Sequence, residues 1–338
     1  MRVALFGAKP YDRRFFEAAL KNEPELAVEY FEERLNVHTV PLADGYEAVC
    51  LFVNDHATAP ILDRLVQGGC KFIALRSAGF NNVDMPHADA IGLTVARVPA
   101  YSPHAVAEHA MALLLSVLRR TYRAYNRTRD GNFELEGLLG RCLYGATIGV
   151  IGTGKIGLVF AQIARGFGST LLAHDPYPNP ELERLGGRYV DLPTLLRESD
   201  VISLHCPLTP ESHYLIDEAA VDSMKRGVIL VNTSRGGLVD TRAIIEGLKS
   251  GQIGGLALDV YEQEESLFFE NLSDTIIQDD VFQRLLTFPN VLVTGHQAFF
   301  TEEALNAIAE TTVANLAAFA RGEPLVNRVS SSQTRPRT

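Results

Sequence analysis

Short apolar runs rich in β-branched residues recur along the chain, and between them apolar positions repeat at helical spacing. Early in the chain the runs at 2–6, 27–31, 48–53, 72–75 and 94–96 predict strands, with helices over 12–21 and 60–67 in the gaps. A second series starts at residue 146, with strands predicted over 147–151, 170–174, 201–205, 228–231, 256–260 and 291–294. Strands alternating with helices predict parallel sheets, because parallel neighbours need long crossovers and those crossovers cover both faces.

The stretch Val98-Pro-Ala-Tyr-Ser-Pro103 interrupts this rhythm, since each proline biases the residue before it toward extended geometry. It reads as a linker. Ser102 then suits an N-cap and Pro103 a first helical turn, and Val106, Ala110, Leu113, Leu114 and Val117 recur at helical spacing, predicting one long helix to about Arg129. A last helix over 301–321 places Leu305, Ile308, Ala309, Thr312, Leu316 and Phe319 on one face and stops at Gly322. It lies beyond the second series, and its natural place is back against the first domain. The expected domains are therefore 1–101 with 300–338, and 102–299. The polar tail 330–338 is expected to be disordered.

At 338 residues the chain is long enough for two domains, and 46% hydrophobic with 21% charged residues excludes a disordered one. A net charge of −10 and a pI near 5.4 argue against nucleic acid or a membrane surface as partner. The arginines at 119, 120, 123, 127 and 129 complement a helix C-terminus or line a subunit interface. Cys50, Cys70, Cys142 and Cys206 lie 20, 72 and 64 positions apart, too scattered for a metal cluster, so no metal is expected. The apolar run 3–8 is too brief for a signal peptide, and the run 110–118 is nine residues long, too short to span a bilayer. A cytoplasmic protein with reduced thiols is the expectation.

Gly152, Gly154 and Gly157 follow a predicted strand, open a helix and occupy the positions of a GxGxxG turn. Such glycines give the tight turn, room for a pyrophosphate and close helix packing, and the helix N-terminus offers free N–H groups to phosphate. Asp175 ends the next strand, 18 residues past Gly157. There a carboxylate accepts from ribose hydroxyls and repels a 2′-phosphate, which favours NAD over NADP. A glycine-rich turn beside a surface aspartate is the plainer alternative, disfavoured by strand, glycines, helix and acid standing in register.

Three ionisable residues, Arg235, Glu264 and His296, fall just beyond predicted strand ends, where ligands bind in open α/β sheets. An arginine directly after the buried run 228–231 needs either a protein carboxylate or a ligand. For a 2-oxo or 2-hydroxy acid, its planar fork holds the carboxylate, and Gly236-Gly237 leaves space beside it. His296 then supplies the proton that a reduced ketone needs, and Glu264 stabilises the imidazolium and fixes which nitrogen faces the substrate. Taken singly, each residue also reads as an ordinary ion pair, acidic loop residue or loop histidine; their shared relation to strand ends favours a common site.

The ordered motifs CLFVND at 50–55, ALRSAGFNNVD at 74–84, RVPAYSP at 97–103, AEHAMALLL at 107–115, GVIGTGKIG at 149–157, HDPYP at 174–178 and DVISLHCPLT at 200–209 resemble the D-isomer-specific 2-hydroxyacid dehydrogenases. VNTSRGGLVD at 231–240, LDVYEQEE at 258–265, FFENLSD at 268–274 and GHQAFFT at 295–301 extend the resemblance to almost the whole chain. It implies two doubly wound parallel-sheet α/β domains, a flavodoxin-like substrate domain and a Rossmann NAD-binding domain, with an interdomain cleft. It implies Arg235, Glu264 and His296 as the catalytic set, and substrate contacts from the backbone of Ala78-Gly79, from Tyr101 and from Phe299. It places NAD against Gly152, Gly154, Lys155, Ile156, Gly157, Asp175, Cys206, Pro207, Thr233, Ser234, Arg235 and Asp259, and against Ser212, where relatives often carry asparagine.

The segment 265–283 and the pair Phe299-Phe300 resemble the lactate-forming branch, which implies reversible reduction of pyruvate to D-lactate with NADH. The D stereochemistry rests on this resemblance, and a homodimer or homotetramer is the expected assembly. Formate dehydrogenase, a cousin, has glutamine where Glu264 stands. A dehydrogenase for bulkier 2-oxo acids stays open, as does an NAD-sensing corepressor-like protein on the same scaffold, although the long low-complexity extension of the latter is missing here.

Overall fold

Every strand of the first series forms, four as largely buried runs and the edge strand Ala27–Tyr30 as a half-exposed one. The computed structural model describes residues 1–333, and the chain divides into two units, Met1–Ser102 with Phe300–Thr338 and Pro103–Phe299. In the first unit β1 (Arg2–Leu5), β2 (Ala27–Tyr30), β3 (Ala48–Leu51), β4 (Phe72–Leu75) and β5 (Thr94–Ala96) pair in parallel in the order β5-β4-β3-β1-β2. This is the flavodoxin-like order. Every residue of β3 and β4 is buried.

The sheet is not purely parallel. A short strand, Arg328–Val329, pairs antiparallel with β5. It satisfies an edge that would otherwise present open N–H and C=O groups. The expectation of disorder from residue 330 does not hold for Ser331–Gln333, which form a 3-10 turn, and the Ser331 N–H donates to Asp89 over 2.7 Å. Residues 334–338 of that tail lie outside the described residues.

The last helix, Glu302–Arg321, starts on a Thr301 cap that accepts from the Ala304 N–H and ends at Gly322 with φ 69°. Its Phe319 ring stacks on Phe72 of β4 with centroids 4.5 Å apart. Asn315 donates to the Arg97 carbonyl over 3.1 Å, tying the same helix to the chain after β5.

In the second unit β6 (Thr147–Ile151), β7 (Thr170–His174), β8 (Arg188–Tyr189), β9 (Val201–Leu204), β10 (Val228–Asn232), β11 (Ile253–Leu258) and β12 (Val291–Val293) pair in the order β8-β7-β6-β9-β10-β11-β12. All these pairings are parallel. The order reverses between β6 and β9, the Rossmann switch point where nucleotides bind beyond the carboxyl ends.

The helix expected to run unbroken to Arg129 is two helices, Pro103–Arg119 and Thr121–Arg129, parted at Arg120 with φ 50°. Residues beyond it turn back and cap the break: the Arg141 N–H donates to the Leu118 carbonyl, and a Cβ at Gly140 would meet that carbonyl at 2.4 Å. Two of the arginines face this returning loop. Arg120 donates to the Gly137 carbonyl and Arg127 to that of Glu136, each over 2.7 Å. Among the described residues no helix is long and apolar enough to cross a membrane.

Candidate active site

At the carboxyl end of β6 the glycines take up their separate tasks. Gly152 has φ 92°, and a Cβ there would lie 2.5 Å from the Cys206 nitrogen; at Gly157 it would lie 2.0 Å from the Gly152 carbonyl oxygen. Both positions bring backbones together. Gly154 differs, since a Cβ there would meet nothing within 4 Å. The helix Lys155–Gly166 starts at this open residue, and the N–H groups of Lys155 and Ile156 find no acceptor among the described residues. An anion fits such a place.

Asp175 stands at the end of β7. Its Oδ2 accepts from the Thr153 N–H at 2.6 Å and the Thr153 hydroxyl at 3.0 Å, and its Oδ1 accepts from the Tyr177 N–H at 2.8 Å. Tyr189 in turn donates to the Thr153 hydroxyl over 2.8 Å. A carboxylate has about four lone-pair sites, so these three bonds leave about one acceptor site for a ribose hydroxyl. Thr153 and Tyr189 escaped the sequence reading because Tyr189 sits in a strand of two residues.

Beyond β9, burial pushes the Cys206 thiol up to about 11, so it stays protonated near neutral pH and is no nucleophile. Its carbonyl accepts from the Ser234 hydroxyl over 2.6 Å. Pro207 is exposed, and its carbonyl accepts from the Ser212 hydroxyl over 2.8 Å, so that hydroxyl orders its own loop. The Thr233 hydroxyl is buried and, among the described residues, has no hydrogen-bond partner. A buried polar atom in that state calls for an outside partner.

The three ionisable residues follow three adjacent strands, β10, β11 and β12. Asn232, fully buried at the end of β10, donates to the Arg235 carbonyl at 2.8 Å and accepts from the Ser234 N–H at 3.0 Å, which sets the loop. The half-buried guanidinium of Arg235 donates to the Ser234 carbonyl over 2.7 Å, and among the described residues no carboxylate pairs with it. The space expected beside it at Gly236 is filled: a Cβ there would lie 2.1 Å from the Tyr261 carbonyl carbon. That glycine serves backbone contact between the β10 and β11 loops, not substrate room.

Glu264 and His296 meet. His296 Nδ1 lies 2.7 Å from Glu264 Oε1, and Glu264 Oε2 accepts from the Tyr261 N–H at 2.9 Å. With Nδ1 engaged, Nε2 is the nitrogen left for a substrate. Phe269 lies beside the His296 ring at 5.8 Å and beside Phe299 at 6.4 Å between centroids, and Phe299 is buried.

Asp259, at the end of β11, has no exposed surface. Its Oδ1 accepts from the Thr294 hydroxyl at 2.5 Å and the Gln297 N–H at 2.8 Å, and its Oδ2 from the Ala298 N–H at 2.9 Å. Burial alone would raise this carboxyl, but bonds from His109, Thr294, Gln297 and Ala298 outweigh it and hold the group below the usual carboxylate range. His109 and Thr294 carried no sequence signal, one being a histidine in an apolar helix and the other a strand-end threonine.

In the first unit, Arg97 donates to the Ala78 carbonyl at 2.7 Å and Ser77 to the Gly79 carbonyl at 2.8 Å. The N–H groups of Ala78 and Gly79 find no acceptor among the described residues. Tyr101 is half-buried. Among the described residues no group of three or more His, Cys, Asp or Glu is arranged to hold a metal ion.

A parallel sheet with a glycine turn at its switch point and a carboxylate-paired histidine beyond its strand ends defines a nucleotide-dependent dehydrogenase domain. Residues 111–298 match the family described as D-isomer specific 2-hydroxyacid dehydrogenase, NAD binding domain. The chain belongs to that family, and its cofactor is NAD. It is 54% identical to the D-lactate dehydrogenase of Escherichia coli, over 97% of this chain and all of that protein. A 2-hydroxyacid dehydrogenase homolog of Haemophilus influenzae is 51% identical over 98% of this chain and all of that protein. Among solved structures, the apo D-lactate dehydrogenase from Escherichia coli aligns with a TM-score of 0.89 at 51% identity, covering 97% of this chain and 100% of that one. The Aquifex aeolicus D-lactate dehydrogenase complexed with NAD and lactic acid aligns with a TM-score of 0.85 at 35% identity, covering 95% and 96%.

Proposed function

We propose that this protein is a D-lactate dehydrogenase, which reversibly reduces pyruvate to D-lactate with NADH. The observation that carries the reading is the 2.7 Å Glu264–His296 pair at the same sheet end as an arginine that no carboxylate among the described residues pairs with. Arg235 grips the carboxylate of the 2-oxo acid through its planar fork. His296 gives a proton from Nε2 to the oxygen that gains charge, and takes it back in lactate oxidation. Glu264 holds the Nδ1 hydrogen and stabilises the imidazolium between these events. The N–H groups of Ala78 and Gly79, with Tyr101 and Phe299, are assigned to the substrate.

The open turn at Gly154, the free helix N–H groups and the unpartnered Thr233 hydroxyl fit NAD. Gly152, Gly154, Lys155, Ile156, Gly157, Asp175, Cys206, Pro207, Ser212, Thr233, Ser234 and Arg235 are the residues assigned to hold it; Asp259, with no exposed surface, acts instead by holding the backbone of Gln297 and Ala298. When bound it supplies or takes up the hydride. A cytoplasmic homodimer or homotetramer completes the reading.

Initial rates with NADH and NADPH against glyoxylate, pyruvate, hydroxypyruvate and 2-oxoisocaproate, followed by chiral analysis of the product, test it. The expected result is NADH-dependent turnover highest with pyruvate and a D product. A preference for 2-oxoisocaproate moves the assignment to bulkier acids, and no turnover at all overturns it.

A further inference from the structure

His109 projects from the helix Pro103–Arg119, whose other inward positions are apolar. Its Nε2 lies 3.1 Å from the Thr294 hydroxyl and 3.3 Å from Asp259 Oδ1. The Thr294 hydroxyl carries one hydrogen. The Asp259 oxygen at 2.5 Å takes it in preference to the Leu258 carbonyl at 3.4 Å. With that hydrogen committed, the hydroxyl can only accept from the imidazole, so the network requires N–H at Nε2 of His109.

What this donor braces is the turn of the proton-bearing histidine. Asp259 has no exposed surface, and a carboxylate in that state needs its lone pairs occupied. Two of its donors are the backbone N–H groups of Gln297 and Ala298, the residues directly after His296. Its own carbonyl accepts the His296 N–H at 2.8 Å. His296 itself sits at φ 53°, a left-handed conformation that costs a residue with a Cβ roughly 1–2 kcal/mol. Such a backbone persists only where surrounding bonds over-determine it. Removing one donor from the carboxylate loosens the bonds that do so.

We propose that His109 is a positioning residue for proton transfer: through Thr294 and Asp259 it holds the 295–298 turn so that the imidazole of His296 keeps its aim. This rests on the reading of His296 as the proton donor to a 2-oxo acid. No contact between His109 and the reactants is implied.

The test compares His109→Leu, which removes the donor at similar bulk, with His109→Gln, whose amide nitrogen reaches about as far as Nε2. Pyruvate reduction, NADH affinity by fluorescence titration and thermal unfolding are measured for both. His109→Leu is expected to lower kcat about tenfold, near 1.4 kcal/mol of barrier, and to raise the solvent deuterium isotope effect on kcat as proton transfer becomes limiting. NADH affinity should change by less than about twofold, and His109→Gln should recover most of kcat. Unchanged kcat, or joint loss of kcat and NADH affinity that glutamine does not rescue, overturns the assignment. If His109→Leu does not fold, Thr294→Val breaks the same link and is judged by the same rates and isotope effect. A wild-type protein inert toward every 2-oxo acid overturns the underlying reading, and this assignment with it; an active wild type beside an unaffected His109→Leu overturns this assignment alone.

Discussion

Gly236 and Tyr261 touch backbone to backbone, with no room for a methyl group between them. Through this contact the loop that carries Arg235 is pressed against the loop that carries Glu264. Gly236→Ala forces one of them away. We expect a loss of about 2 kcal/mol in stability from overpacking and a fall in kcat/KM for pyruvate. Thermal unfolding and steady-state rates check it, and a variant equal to wild type in both shows that the two loops move independently.

His296→Gln keeps a polar side chain but cannot shuttle a proton. Positioned acid–base groups contribute about 10²- to 10⁴-fold, so kcat should fall by that order while NADH affinity stays close to wild type. Stopped-flow rates with fluorescence titration separate the two quantities. Retained turnover would remove the histidine from the proton path.

For Arg235→Lys the charge survives and the fork does not. A single ammonium cannot reproduce two parallel N–H bonds to a carboxylate, so the KM for pyruvate should rise by about tenfold or more, with a smaller change in NADH affinity. Equal kinetic constants in variant and wild type would leave the substrate clamp to other groups.

Asp259 makes acid stability readable. Its carboxyl is held low in the folded protein and lies near 3.9 when the chain is unfolded. Between those values the unfolded chain binds the extra proton, so stability rises with pH through that window. The contribution is complete above about pH 5 and is lost as pH falls through the folded value. Asp259→Asn sets an amide against backbone donors, at a cost on the order of 3 kcal/mol at neutral pH. Unfolding midpoints between pH 3.5 and 7 should show the gap to wild type narrowing on acidification, and a constant gap would mean that the carboxylate is not the charged partner described.

Much of the scaffold was legible because β3, β4 and β10 are buried along their whole length and so read as unbroken apolar runs. β11 begins at Ile253 and not at Leu256. The glycines at its start look like a poor strand, yet a Cβ at Gly255 would strike Val117 at 2.6 Å and one at Gly254 the Gly227 carbonyl at 2.5 Å. Packing chose them over propensity. The strands Arg188–Tyr189 and Arg328–Val329 have two residues each, too few to show a period. The break at Arg120 has no glycine or proline to announce it, since its cause is a loop that returns from later in the chain. At the candidate site, the proposed set Arg235, Glu264 and His296 could be singled out by their common place after strand ends; the Asp259 network could not, because hydrogen bonds from a turn leave no mark in composition.

The first unit takes β1 to β5 from the start of the chain and the helix Glu302–Arg321 from its end. Phe72 cannot acquire its stacking partner Phe319 until nearly all the chain has left the ribosome. The second unit is continuous, and domains generally fold as units during synthesis. The emerging amino-terminal sheet therefore waits with part of one face uncovered while the later half matures, and that interval is when a chaperone has the most apolar surface to shield.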